Sequence, residues 1–142
     1  MKIYTYDATD MSVISTDATG VAFGDGVLGG FCQNAVVFKA VPETEVLTAL
    51  SLYLEDRADL DHTRFGLYKS QTATTGIAPG NALLNTYLVE SPGVSDMSMF
   101  SDNQVSYDIT DPEYTWVDAK IGLTETNFGD TAINFRFIFE YN

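Results

Sequence analysis

The side chains able to do chemistry are few. One histidine, His62, and one cysteine, Cys32, stand beside 20 carboxylates and 7 lysines and arginines. His62 lies in Asp59-Leu60-Asp61-His62, where Asp59 or Asp61 could orient the imidazole for proton transfer, and Ser70 follows downstream as the hydroxyl such a dyad would activate. The chain has no Gly-x-Ser-x-Gly turn to hold a serine in an attacking position, so the plainer reading is a histidine in a solvated loop. Cys32 sits among apolar residues without a basic neighbour to lower its thiol pKa, and is expected to be a small buried side chain. No catalytic residue and no cofactor are expected.

Carboxylate pairs that would suit glycoside hydrolysis arise from abundance alone in so acidic a chain. Asp56, Asp59 and Asp61 are weak candidates for holding calcium, as are the pairs Asp96 with Asp102 and Asp108 with Asp111. None of these fits the EF-hand loop, with its central Gly and terminal Glu. The run Gly24-Asp25-Gly26-Val27-Leu28-Gly29-Gly30 lacks the Lys and Ser/Thr of a phosphate cradle, and Asp25 would repel a phosphate, which leaves a flexible turn. Tyr114 and Trp116 alternate onto one strand face. With Tyr53, Tyr68 or Tyr87 they could form a platform on which a sugar stacks, or mark a protein interface.

These residues must be positioned by strands, because the dominant period is two. Leu50, Leu52 and Leu54 alternate with Ser51, Tyr53 and Glu55, and Phe135, Phe137, Phe139 and Tyr141 alternate with Asn134, Arg136 and Glu140. An all-aromatic strand face must pack against a second layer. Further strands are expected at 3–7, 35–41, 64–68, 85–89, 105–109 and 116–123, with a weaker one at 11–15 or 20–23. In 116–123, Val117, Ala119, Ile121 and Leu123 are read as facing inward and Trp116, Asp118 and Lys120 as facing out. Turn residues separate the runs, among them Ser91-Pro92-Gly93 and Asp111-Pro112. The pattern predicts an all-β fold: a single two-layer antiparallel β-sandwich of jelly-roll type over residues 31–142, with residues 1–30 as an extended N-terminal arm.

Composition excludes other classes. At 142 residues with 45% hydrophobic and 13% aromatic content, the chain can bury a core and is not of disordered type. A net charge of −13, with no basic stripe, argues against nucleic-acid and anionic-membrane partners. No apolar run is long enough to span a bilayer as a helix. The start at Met1-Lys2-Ile3 without an apolar leader, and a lone cysteine, lead to the expectation of cytoplasmic synthesis without export. Most acids fall in turns or at outward strand positions such as Glu55, Asp108, Asp118 and Glu140.

One stretch has a wider likeness. Val37-Phe38-Lys39-Ala40-Val41, the run from Leu47 to Leu54 ending Ser51-Leu52-Tyr53-Leu54, Gly66-Leu67-Tyr68, and Pro79-Gly80-Asn81-Ala82-Leu83-Leu84 resemble a β-sandwich pattern of extracellular and virion-associated modules. The match covers residues 36–90 and rests on strand and turn chemistry. Sandwiches of this size are similar to the auxiliary head proteins that decorate or cement tailed-bacteriophage capsids. That resemblance implies a non-enzymatic structural virion protein, made in the host cytoplasm and located on the capsid surface. Its partners would be the major capsid protein and further copies of itself as a dimer or trimer. Residues 1–30 would serve attachment or strand exchange, and Tyr4, Tyr6, Phe31, Tyr114, Trp116 and Tyr141 would be the interface aromatics. The competing expectation is a carbohydrate-binding or adhesion module using Tyr114 and Trp116.

Overall fold

The structure, a computed structural model, describes residues 1–18, 21–56, 59–80, 86–88, 107–109 and 114–142. The described residues form nine strands and no helix: β1 (Lys2–Asp7), β2 (Val13–Ser15), β3 (Val36–Val41), β4 (Leu47–Asp56), β5 (Thr63–Ser70), β6 (Thr86–Tyr87), β7 (Tyr107–Ile109), β8 (Tyr114–Ile121) and β9 (Asn134–Tyr141). They pair into a six-stranded sheet, β2-β1-β3-β8-β5-β6, and a three-stranded sheet, β7-β4-β9, with every pairing antiparallel. The expected all-β two-layer sandwich is the observed architecture. Three of the pairings are nested: β3 with β8, β4 with β7, and β5 with β6.

The strands form where the alternation placed them, and the sandwich core explains why. Leu52 and Leu54 of β4 meet Val36 and Phe38 of β3, Phe65 and Leu67 of β5, and Val117 and Ala119 of β8 in one cluster. Phe135 and Phe137 of β9 close on Phe38 with ring centroids 5.5 and 5.3 Å apart, both edge to face, the arrangement that suits the ring quadrupoles. Each aromatic or leucine fully removed from water here contributes roughly 1.5–3 kcal/mol.

Two expectations need correcting. Residues 1–30, read as an arm, supply the first two strands: β1 pairs with β3 over six residue pairs, and Thr5 and Tyr6 are buried. The reason is that both faces of Ile3-Tyr4-Thr5-Tyr6 can bury surface, so the segment gains more as a sheet strand than in solvent. The face assignment over 116–123 is also overturned: Trp116 and Asp118, read as outward, are 0% and 1% exposed, and Leu123, read as inward, lies past the end of β8 at 77% exposure. The outer face of the larger sheet is buried as well: Trp116 packs there beside Tyr6 and Val37 of the neighbouring strands in one cluster with Ala35 and Ile77, with Tyr4, Ala8, Met11, Tyr68 and Tyr114 around it. A strand buried on both sides no longer obeys the one-face alternation rule. The weaker strand appears at Val13–Ser15. Asp96, Asp102 and Asp111 lie outside the described residues, as does the side chain of Asp108.

Candidate functional site

The densest group of chemically able side chains sits where β5 begins and β8 ends. Thr63 of β5 pairs with Ile121 of β8, so the residues just before one and just after the other must lie side by side. Gly122 N–H donates to the His62 carbonyl at 2.7 Å. A Cβ on Gly122 would come within 2.3 Å of that carbonyl oxygen, so only glycine allows the two backbones to approach this closely. The chain then turns, with Glu125 N–H donating to the Gly122 carbonyl at 3.2 Å, and Glu125 folds back underneath.

Glu125 is buried. Its carboxylate accepts the backbone N–H of Asp61 at 3.2 Å on one oxygen and that of His62 on the other. His62 Nδ1 lies 2.9 Å from Asp61 Oδ1 and 3.9 Å from Glu125 Oε2, and Thr126 Oγ1 approaches Asp61 Oδ2 at 3.5 Å. Burial pushes the Glu125 carboxyl above its ordinary range, and the neighbouring Asp61 carboxylate adds to the rise. The hydrogen bond with His62 holds Asp61 below its ordinary range. Two carboxyls thus share one site with their proton affinities driven apart.

The structure therefore pairs His62 with Asp61, as one sequence alternative allowed, but not with Ser70. His62 precedes β5 and Ser70 ends it, a span of roughly 25 Å at strand rise. Asp56 and Asp59 do not join Asp61 in a ligand group among the described residues; His62 and Glu125 do. Glu125 was missed because nothing in Leu123-Thr124-Glu125-Thr126 separates it from any other turn acid. Cys32 is half-buried, not fully, and hydrogen-bonds through its N–H to the Ala119 carbonyl at 2.9 Å. Burial, aided by the Asp118 and Asp25 carboxylates, pushes its thiol up and away from nucleophilic use.

The six aromatics expected at an interface separate into different environments. Trp116 and Tyr6 are buried, and Tyr4 and Tyr114 are half-buried against them. Tyr6 meets Tyr114 edge to face at 5.1 Å, and Tyr68 meets Trp116 at 5.4 Å. With Trp116 enclosed, the expected sugar platform of Tyr114 and Trp116 has no free tryptophan face. Phe31 is half-buried beneath Gly80 and Lys120, whose Nζ stands 5.6 Å from its ring centre. Tyr141 alone of the six is exposed, and the sequence reading passed over its exposed neighbours Ile138, Phe139 and Val46. Phe139 and Tyr141 stack on each other at 5.7 Å near the free end of β9, the last strand of the smaller sheet. Asn142 and Val46 exchange backbone hydrogen bonds of 3.0 and 3.2 Å, which brings Val46 beside them. A separate cleft of about 410 Å³ opens beside β1, but its acid, Asp7, already accepts the Thr9 N–H at 2.8 Å.

No known protein family, curated protein or solved structure matches the chain.

Proposed function

We propose that the chain is a structural, non-enzymatic virion protein that decorates and cements a tailed-phage capsid shell through protein–protein contacts. The observation that carries this reading is the edge strand β9. It has eight residues, it pairs only with β4 among the described strands, and it presents Ile138, Phe139 and Tyr141 exposed, with Val46 alongside. A long edge with apolar side chains invites strand addition by another chain. The occupant we assign is a coat subunit offering a strand flanked by basic side chains, since a net charge of −13 favours a positive partner and keeps free copies apart. The nested pairings β3–β8, β4–β7 and β5–β6 support a jelly-roll winding, a long hairpin folded over on itself.

Shells assembled without the chain are expected to take it up saturably, to resist heating better afterwards, and to release it as salt rises. The double substitution Ile138→Asp with Tyr141→Asp should abolish uptake while leaving the far-UV circular dichroism unchanged. Shells that neither bind the chain nor gain heat resistance overturn the proposal.

A further inference from the structure

The group at the end of the β5–β8 ladder is not used by a docking function, and its chemistry points elsewhere. Asp61, His62 and Glu125 bring an imidazole nitrogen and two carboxylate oxygens within 4.8 Å of one another. Tetrahedral ligands about 2.0–2.1 Å from a zinc ion stand about 3.3 Å apart. The separations of 2.9 Å from His62 Nδ1 to Asp61 and 3.9 Å to Glu125 bracket that value.

Charge supplies a second, independent pointer. The Glu125 side chain is 1% exposed, yet among the described residues no lysine or arginine forms an ion pair with it or with Asp61. A carboxylate so placed needs a proton or a cation. Each Glu125 oxygen accepts one backbone N–H, which leaves a lone pair on each for a ligand bond. The ligands are also pre-positioned, because the Gly122 contact with the His62 carbonyl locks the two loops together. Asp61 and His62 are each about one-third exposed, so water can complete a coordination shell from the solvent side.

We infer that Asp61, His62 and Glu125 bind one first-row divalent cation of the zinc type, with water filling the remaining position. One imidazole with two carboxylates suits such ions better than calcium, which takes six or more oxygens. Binding moves the imidazole to its Nε2–H tautomer: Nδ1 gives its proton to solvent as Nε2 takes one up, and one bond each from Nδ1 and Asp61 to the metal replaces the hydrogen bond between them. The ion then joins residues 61–62 to residue 125 as a staple across the end of the sandwich.

The test is calorimetric titration of the full chain with zinc chloride, with magnesium and calcium chlorides in parallel, together with thermal melts. One saturable zinc site per chain and a raised Tm are expected, with weaker or no response to magnesium and calcium. His62→Ala should weaken zinc binding by about tenfold or more, since losing even an outer-shell partner costs that much. Glu125→Gln should do the same, but it also disturbs the hydrogen bonds to residues 61 and 62. The decision therefore rests on His62→Ala, whose side chain is one-third exposed and whose fold is checked by circular dichroism. Zinc uptake equal in wild type and His62→Ala, absence of a saturable site, or preference for calcium each overturns the inference.

Discussion

β8 and β9 are both eight-residue strands carrying aromatics, yet they sit in opposite surroundings. β8 runs between β3 and β5 and is covered on both faces, so Thr115, Trp116, Val117, Asp118 and Ala119 are all buried in succession. Among the described strands β9 has one neighbour, and beyond Phe137 its side chains reach solvent whichever way they point. The local sequences do not predict this. Asn-Phe-Arg-Phe-Ile-Phe-Glu-Tyr looks more core-like than Tyr-Thr-Trp-Val-Asp-Ala-Lys-Ile, and it is the one left bare. Burial is set by position in the sheet, which the chain decides through distant segments.

The sharpest way to break the contrast is truncation of one aromatic on each strand. Trp116→Ala should cost about 3–5 kcal/mol of stability, the range for deleting a large buried aromatic, measured by urea denaturation. Tyr141→Ala, at 57% exposure, should stay within about 0.5 kcal/mol of wild type. Equal losses at the two sites would show that β9 is covered in solution and would remove the basis of the docking proposal.

A smaller effect separates the polar residues of the two strands. Asp118 accepts the N–H of Gly66 at 3.1 Å and of Gly80 at 2.9 Å inside the covered face. Asp118→Ala leaves the buried Gly66 donor without this partner, at a cost of about 1–3 kcal/mol, while the N–H of exposed Gly80 can turn to water. Glu140→Ala on β9 should be near neutral, because that carboxylate is exposed. Burial raises the Asp118 pKa against the pull of those two N–H groups. A native pKa above the unfolded value means the folded chain holds its proton more tightly. The stability of wild type relative to Asp118→Asn should therefore be greatest below the ordinary Asp range and fall as pH rises through the raised value. A relative stability that grows with pH in that window would contradict the assignment.

Legibility followed the same divide. Where one face is covered and one is wet, as in β4, alternation gave both the strand and its buried set, with Leu50, Leu52 and Leu54 all at 2% exposure or less. It located β8 as well but misassigned its outer face, because alternation cannot register the second cluster in which Ala35 and Ile77 join Tyr6, Val37 and Trp116 on that face. At the candidate site His62 and Asp61 were visible as adjacent residues. Glu125 lies 63 positions from His62, and only the β5–β8 register brings it there. A long-range carboxylate in a turn of an acidic chain carries no local mark.

The smallest expected effect has the opposite sign. Thr115 on β8 and Thr5 on β1 are 1% and 0% exposed, and neither hydroxyl has a hydrogen-bond partner among the described residues. A buried hydroxyl without a partner costs about 1–3 kcal/mol, whereas a methyl of nearly the same size costs nothing in desolvation. Valine also keeps the β-branched shape that strands favour. Thr115→Val should therefore stabilise the fold by about 1 kcal/mol and raise the denaturation midpoint, with the denaturant slope unchanged. Thr48→Val, on exposed Thr48 of β4 beside β9, should give no such gain. If Thr115→Val instead destabilises, its hydroxyl has found a partner, and the inner face of β8 is less dry than its packing against Val36, Phe38 and Leu67 implies.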